Sequence, residues 1–297
     1  MNDLISVIIP AYNHEKFVEY TINSIILQSF KNIELIIIND GSTDSTNDKI
    51  TNLADKCKER FVRYEHFNRE NLGYIKTLNQ LIETANGKYI YLIASDDIAK
   101  PDALETLYNF IKNKPKYGMV VGNNEIIDEN NQVVYWDKQR NIVKTLEEAE
   151  YKNFVEFLKN DRPDIDFNSN NFGSYKSLTR GNYIPNGYIM RKEAIIKAGG
   201  YKENTLDDWY LNLQIAKHYK IKFINKVLFS YRWHSTNTMK NTEFIDKLVK
   251  NVQKEINEEK NLYQNTVRFK IISSLIKMLF IFIPSKKIRN QIRLQYL

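Results

Sequence analysis

The chain has 297 residues, enough for one large domain, and its 42% hydrophobic and 27% charged residues exclude a disordered or collagen-like protein. A single cysteine, Cys57, excludes an intramolecular disulfide framework and is typical of a reducing compartment. The net charge of +7 equals the seven basic residues between Gln264 and Leu297, a segment without acidic residues. The rest of the chain is electrically balanced, which argues against a nucleic-acid partner.

The first 125 residues alternate β-branched runs with amphipathic segments. Strands are predicted at 7–10, 34–38, 61–67, 88–94 and 119–122. Helices are predicted between them at 15–29, 74–85 and 101–113, and a further helix follows the second strand with Asp44 or Ser45 as its N-cap. Helical spacing from Ile50 to Cys57 predicts a buried core thiol. Continuous apolar strands interleaved with helices predict an α/β fold, a doubly wound, mostly parallel central sheet with helices on both faces.

The second half of the chain begins less regularly. Residues 160–187 are polar with scattered aromatics, and we interpret them as long loops that line a site, with a disordered insertion as the alternative. Regular patterns then resume, as helices at 191–198 and 207–219, strands at 221–224 and 227–232, and a helical pattern from 241 onward. Arg191 and Lys192 are expected to face solvent.

Acidic residues occur where predicted strands end. Asp40 follows the second strand, Asp96 and Asp97 follow the fourth, and Asp207 with Asp208 begins a later helix. The two Gly-rich phosphate-binding motifs are absent from the sequence, so a ligand must be held by side chains and ions at the strand ends. Adjacent carboxylates repel each other, and a divalent cation bound with a diphosphate relieves that repulsion. Taken singly, each carboxylate has the alternative role of a turn former or helix cap.

The chain resembles the nucleotide-binding half of family-2 glycosyltransferases of the GT-A fold over residues 4–125, in VIIPAYNHEKFVEYTINSIILQSFKNIELIIINDGSTDST and NLGYIKTLNQLIETANGKYIYLIASDDIAKPDAL. A weaker resemblance continues to residue 238 through IMRKEAIIKAGGY, LDDWYLNLQIA and YRWH. It implies an inverting, divalent-metal-dependent enzyme that moves a sugar from a nucleotide-diphospho-sugar to a glycan hydroxyl. A non-catalytic nucleotide-sugar-binding or assembly partner with the same fold is the alternative.

The resemblance also implies roles for individual residues. Asp208 is the expected general base with Asp207 as its acidic neighbour, and Asp97 and His234 are expected to hold Mn²⁺ or Mg²⁺. The expected nucleotide-sugar pocket consists of Pro10, Tyr12, Asn13, Asp40, Lys76, Asn79, Ser95 and Asp96. Asp40 is expected to accept the imide N–H of uracil, which favours a UDP-sugar donor.

The sequence departs from the family pattern in three places. Ala94-Ser95-Asp96 stands where Asp-x-Asp is usual, so the first carboxylate is missing and Asp97 becomes the expected metal ligand. Thr77-Leu78-Asn79 stands where Ala-Arg-Asn is frequent, so a basic contact must come from elsewhere, and Lys76 is the candidate. Asp207-Asp208 replaces Glu-Asp, which keeps the negative charge but shortens the first side chain by one methylene.

We expect a glycosyltransferase domain at 1–238, with a nucleotide-sugar-binding half at 1–125 and an acceptor-binding half at 126–238. The helical, basic and amphipathic extension at 239–297 carries one broad apolar face, formed by Ile271, Ile272, Leu275, Met278, Leu279 and Phe282. We interpret this face as an anchor on an anionic membrane, with packing against the domain as the alternative.

An anchor of this kind implies a cytoplasmic enzyme at the inner face of the cell membrane, with a lipid-linked acceptor, in bacterial surface polysaccharide synthesis. No signal peptide is expected, because the first residues lack a positively charged region. The apolar run at 271–283 is too short to cross a bilayer.

Overall fold

A mixed β-sheet forms the centre of the computed structural model, which describes residues 3–279. Its strands are β1 (Ile5–Ala11), β2 (Ile33–Asp40), β3 (Arg63–Arg69), β4 (Tyr89–Leu92), β5 (Ile98–Ala99), β6 (Tyr117–Ile127), β7 (Val133–Trp136), β8 (Ile142–Val143), β9 (Tyr188–Arg191) and β10 (Lys220–Arg232). The order across the sheet is β3-β2-β1-β4-β9-β6-β10-β5, and β7 extends from β6 and pairs with β8.

Helices cover both faces of this sheet. They are α1 (Val18–Ile26), α2 (Thr46–Asn52), α3 (Ala54–Arg60), α4 (Tyr74–Thr84), α5 (Ala103–Ile111), α6 (Phe154–Asp161), α7 (Tyr175–Leu178), α8 (Lys192–Ala198), α9 (Asp207–Ala216) and α10 (Thr242–Leu279). On β1, Val7 and Ile9 join the apolar cluster under α1 and α5, whereas Ile8 joins the cluster under α4, α8 and α9. This alternation confirms the α/β fold. Cys57 is buried as predicted, and burial raises the pKa of its thiol to about 12.

Strand β9 makes the sheet mixed, because it runs antiparallel between β4 and β6. Arg191 ends this strand and is buried, so the expectation that it faces solvent is wrong. Its guanidinium donates to the carbonyl oxygens of Tyr117 (2.9 Å) and Ile111 (2.7 Å). Ile111 is the last residue of α5 and its carbonyl oxygen also accepts the backbone N–H of Lys114 (3.0 Å), so Arg191 adds a charged donor at the carboxyl end of the helix.

Residues 160–187 form a folded layer on α9, which excludes the alternative of a disordered insertion. Phe167 and Tyr183 are buried with their ring centroids 6.0 Å apart. The indole N–H of Trp209, on α9, donates to the carbonyl oxygen of Leu178 at 2.7 Å. This segment therefore supports the helix that begins with the Asp207-Asp208 pair.

The first part of α10 is docked on the domain. Val252 and Ile256 are buried in the cluster under α9, and Lys217 forms an ion pair with Glu259 at 2.6 Å. The apolar face expected between Ile271 and Phe282 lies outside the described side chains. Within residues 3–279, no helix has the length and apolar character needed to cross a membrane.

Candidate active site

The loops after β1 and β2 are joined at the carboxyl edge of the sheet. Asn13, in a left-handed conformation at φ 51°, donates its backbone N–H to Ser42 Oγ (3.0 Å) and accepts the backbone N–H of Thr43 on its side chain (2.8 Å). Pro10 is buried within β1, whereas Tyr12 is 47% exposed beside this junction. The structure thus leaves the Tyr12 ring free at the edge where the predicted nucleotide pocket lies.

Three potential metal ligands meet at this edge. Single ligand atoms of His14, Asp96 and His234 lie within 4.8 Å of one another. The Nε2 atoms of His234 and His14 lie 2.9 Å and 3.9 Å from the same oxygen, Asp96 Oδ2. Hydroxyl groups of Ser95 and Thr236 hydrogen-bond the Nδ1 atoms of His14 and His234, at 2.8 Å and 2.9 Å. Both imidazoles are thereby held with Nε2 toward the carboxylate.

This group of side chains is suited to a divalent transition-metal ion. Burial raises the pKa of Asp96, but the hydrogen bond from His234 and the nearby His14 outweigh burial, so the pKa lies below its ordinary value. An ionised carboxylate with two imidazoles is a donor set that favours transition metals over Mg²⁺, which prefers oxygen ligands. Sequence reasoning missed His14, although it directly follows Tyr12-Asn13 at the end of β1.

Asp97, the other expected ligand, is turned into the protein. It is buried, and its Oδ1 accepts the backbone N–H of Arg232 at 2.8 Å. Burial and the neighbouring charge of Asp96 hold the pKa of Asp97 well above its ordinary value. Asp97 is not a member of the group formed with His14 and His234, so its assignment as a metal ligand finds no support in this arrangement.

Arg232 ties the Asp96-Asp97 loop to the turn after β6. Its side chain is fully buried, with Nε donating to the carbonyl oxygen of Asp96 (2.6 Å) and Nη1 to that of Asp128 (2.7 Å). The backbone of Arg232 holds Asp97 at the same time. One residue two positions before His234 therefore sets the position of both aspartates.

Asp40 lies at the end of β2 and is already bonded to protein groups. Its carboxylate accepts from the Arg69 guanidinium and from the backbone N–H groups of Leu72 (2.9 Å) and Gly73 (3.1 Å). Oδ2 accepts only the Gly73 N–H among these bonds, so it retains capacity for one more donor. The role of Asp40 in base recognition stays a prediction.

Arg69 places a guanidinium where the Thr77-Leu78-Asn79 triplet lacks one. It faces Asp40 across the β2–β3 register, and its Nη2 donates to Thr77 Oγ1 at 2.7 Å. Lys76, the residue expected to supply this charge, is exposed and lies 3.8 Å from Glu203. Arg69 ends the strand that pairs in parallel with β2, which ends in Asp40, and this position in the sequence could have predicted that the two side chains meet.

The side chain of Asn79 forms hydrogen bonds with the backbone of a residue far away in the sequence. Its side-chain amide donates to the carbonyl oxygen of Tyr201 (2.9 Å) and accepts the N–H of the same residue (3.0 Å). These two bonds fasten α4 to the chain that leads into α9. The assignment of Asn79 to the donor pocket stays a prediction, and the observed bonds show a role in holding Tyr201.

Asp207 and Asp208 form the first turn of α9, where the helix dipole favours negative charge. Burial and the charge of Asp208 raise the pKa of Asp207 to about 8. Burial also raises the pKa of Asp208, but a hydrogen bond from the Tyr188 hydroxyl opposes the rise. Asp207 therefore keeps its proton more readily than Asp208, and the Tyr188 hydrogen bond favours Asp208 as the charged member of this coupled pair.

The hydroxyl of Tyr74 is affected by the charges of both groups. Desolvation of the hydroxyl and the charges of Asp207 and Asp208 raise its pKa well above the ordinary value. The charge of Asp96 acts on the same hydroxyl. The structure thus brings Asp96, Asp207 and Asp208 to one region of the surface, from three separate parts of the sequence.

Carboxylates and imidazoles gather at the carboxyl edge of this α/β sheet, where open α/β sheets bind their ligands, so the fold and the site define a ligand-binding α/β protein. Residues 6–180 match the model of "Glycosyl transferase family 2", which covers more than half of the chain, so the chain belongs to this family and is a glycosyltransferase. It is 31% identical over 253 residues to the glycosyltransferase GlyG of Streptococcus pneumoniae, covering 82% of this chain and 75% of the relative.

Two solved structures share the fold. The chain is similar to TarS residues 1–349 of S. aureus in complex with UDP-GlcNAc, with a TM-score of 0.56 and 17% identity over 81% of this chain. It is also similar to the mannosyltransferase PcManGT of Pyrobaculum calidifontis in complex with GDP-Man and Mn²⁺, with a TM-score of 0.59 and 15% identity over 82% of this chain. The chain spans 61% of each of these two solved chains.

Proposed function

We propose that the protein is an inverting, divalent-metal-dependent glycosyltransferase that moves a sugar from a nucleotide-diphospho-sugar to a hydroxyl of a glycan acceptor. The observation that carries this proposal is that two acidic groups act on one tyrosine hydroxyl. Asp96 lies with the imidazoles of His14 and His234, Asp207 and Asp208 begin α9, and the charges of all three aspartates raise the pKa of Tyr74. The first group suits the diphosphate and its ion, and the second suits the acceptor hydroxyl.

Asp208 is the proposed general base. As the acceptor oxygen attacks the anomeric carbon, the hydroxyl proton passes to the Asp208 carboxylate and the bond from that carbon to the diphosphate breaks. The neighbouring Asp207 keeps its own proton more readily than Asp208, so it is the less suited of the two to accept this one. A single displacement with one base and no enzyme nucleophile inverts the configuration of the anomeric carbon.

His14, Asp96 and His234 are the proposed metal ligands, and Mn²⁺ is the proposed ion because two of the three donors are imidazole nitrogens. When bound, the ion stabilises the negative charge that develops on the leaving diphosphate. Asp40 and Tyr12 belong to the proposed base pocket, with a UDP-sugar favoured because a carboxylate accepts the uracil imide N–H. The solved relatives bind UDP-GlcNAc and GDP-Man, so the family fold accommodates both bases.

A thermal-shift screen tests the proposed function. With Mn²⁺ present, we expect UDP at about 100 times its Kd to stabilise the protein by about 2.7 kcal/mol and to raise Tm by about 4 °C. UMP is the matched control, because it lacks the second phosphate and should shift Tm less. Uridine and guanosine diphosphates are compared in parallel, each with Mn²⁺, with Mg²⁺ and with EDTA. Absence of a shift with every nucleotide and ion, together with no nucleoside diphosphate release from any sugar donor, would refute the proposal.

We further propose that the basic extension associates with the cytoplasmic leaflet, where a lipid-linked acceptor of a bacterial surface polysaccharide would be reached. The support is the sequence alone, in which the seven basic residues after Gln264 have no acidic counterpart. The full chain is expected to sediment with vesicles containing anionic lipid and to be released by high salt, since exposed charges are screened. A variant without residues 269–297 that sediments equally well would contradict this.

A further inference from the structure

The Asp207-Asp208 pair has a hydrogen-bond partner that neither the sequence pattern nor the family resemblance indicates. The hydroxyl of Tyr188 donates to Asp208 Oδ1. Tyr188 is buried and lies on β9, 20 residues before its partner. Among the side chains that the structure describes, no lysine, arginine or histidine forms an ion pair with Asp207 or Asp208. The tyrosine hydroxyl is thus the side-chain donor that supports the charged form of Asp208.

We propose that Tyr188 is a positioning residue for the reaction: its hydroxyl holds the Asp208 carboxylate in one rotamer and stabilises it as the anion that accepts the acceptor's proton. The proposal rests on the proposed function of Asp208 as general base. Tyr188 acts through Asp208 and has no assigned contact with either substrate.

The backbone of Tyr188 is held by strand β6 and by the glycine before it. Tyr188 pairs with Val121 of β6, and Gly187 before it has φ 75°. A Cβ at Gly187 would lie 2.3 Å from Cδ2 of the Phe229 ring, so only glycine fits this entry into β9. A hydroxyl carried by a central strand is therefore a rigid reference point for a carboxylate at the start of a helix.

The surroundings of Asp208 otherwise disfavour its charge. The groups whose pKa the charge of Asp208 raises are all acidic or neutral: Asp207 of α9, Tyr188 of β9, Tyr201 before α9, Tyr74 of α4 and Tyr231 of β10. Burial and the charge of Asp208 raise the pKa of Tyr188 itself, so it keeps its proton and remains a donor. Without the Tyr188 hydroxyl, burial would still oppose the ionisation of Asp208, and the hydrogen bond that offsets burial would be lost.

Tyr188→Phe removes the hydroxyl and keeps the ring. At pH 7 we expect kcat to fall about 10-fold to 100-fold with an unchanged donor Kd, because less of the base is ionised and its rotamer is no longer held. The hydrogen bond favours the charged form, so its loss raises the pKa of Asp208 by about 1, and the acidic limb of the kcat profile moves to higher pH. Tyr175→Phe is the matched control, since it removes a hydroxyl bonded to a carboxylate, Glu259, elsewhere on the domain.

A second readout is independent of turnover. Aspartate carboxyl carbons labelled with ¹³C are titrated by NMR in wild type and in Tyr188→Phe, with Asp208→Asn used to assign the resonance. A higher pKa for Asp208 in the variant supports the proposal, and an unmoved pKa with kcat within 2-fold of wild type overturns it.

If Tyr188→Phe does not fold, the NMR titration of wild type still tests the proposal. Asp208 must then ionise at lower pH than Asp207, and the reverse order overturns the proposal. If no donor is turned over by wild type, the proposed function fails while the titration still reports on Tyr188.

Discussion

Asp208→Asn is expected to lower kcat about 10³-fold or more and to leave the donor Kd within about 2-fold of wild type. General-base catalysis contributes about 10²–10⁴-fold, and asparagine keeps the size of the side chain while losing the ability to accept a proton. The variant still accepts the Tyr188 hydrogen bond through its amide oxygen, so the fold around α9 is preserved. Isothermal titration with the nucleoside diphosphate and Mn²⁺, alongside single-turnover sugar transfer, separates binding from chemistry.

Asp207→Asn provides the informative comparison for this result. Because Asp207 keeps its proton more readily than Asp208, its amide replacement resembles the native state and should cost far less, about 10-fold or less. Asp161→Asn, at an exposed position on α6, controls for the substitution itself. A loss at Asp207→Asn equal to that at Asp208→Asn would show that the wrong member of the pair has been assigned as base.

The same assignment fixes the direction of the pH dependence. With Asp208 as the proposed base, transfer would require its ionised form, and burial raises the pKa of this carboxyl above the ordinary value. The rate is therefore expected to fall, as pH decreases, at a higher pH than an exposed aspartate would give, and the apparent value belongs to the coupled pair. A kcat profile that is flat down to pH 4 would argue against Asp208 as the base.

The carboxylates at the strand ends are readable from the sequence. Buried β-branched runs that stop at an acidic residue place carboxylates on one edge of a parallel sheet, and this pattern predicts Asp40 and Asp96. Asp208 is predicted from its place at the start of a helix and from the family resemblance. His234 was reached only through the family resemblance, and the structure places its Nε2 on Asp96.

Which of Asp96 and Asp97 joins the metal-ligand group depends on the backbone conformation of the loop after β4, which the sequence does not reveal. Asp96 lies in a turn and Asp97 directly follows it, and nothing local in Ser95-Asp96-Asp97 says which carboxylate faces the two imidazoles. Arg232 decides it from 135 residues away, by donating its backbone N–H to Asp97.

Tyr188, Arg191 and β9 were missed for the same reason. β9 is a four-residue strand, too short for a periodic signal, and it exists because both of its edges are paired with β4 and β6. Arg191 was expected in solvent because charged residues are seldom buried, yet its three hydrogen bonds to Tyr89, Ile111 and Tyr117 replace the water it loses. Pairings across more than 70 residues are invisible to any local pattern.

The second large effect is expected at the metal-ligand group, where Asp96→Asn and Asp97→Asn should behave in opposite ways. Asp96→Asn removes an anionic ligand that faces two imidazoles, and we expect it to weaken Mn²⁺-dependent nucleotide binding by at least about 100-fold. Asp97→Asn should change this affinity by less than about 3-fold, because Asp97 is turned inward and an amide oxygen still accepts the Arg232 N–H. Isothermal titration of Mn²⁺ into protein with UDP measures both.

The two histidines complete this test. His234→Ala is expected to match Asp96→Asn, since His234 Nε2 lies on the Asp96 carboxylate, and His218→Ala at an exposed position is the control. His14→Ala decides whether the group has three ligands: a loss of about 10-fold or more assigns His14 to the ion, whereas wild-type affinity reduces the group to Asp96 and His234.

With two imidazoles present, Mn²⁺ should bind to wild type more tightly than Mg²⁺. This preference should be smaller in either histidine variant, because the oxygen donors that remain suit both ions. Equal affinities for the two ions in wild type would contradict ligation by imidazole.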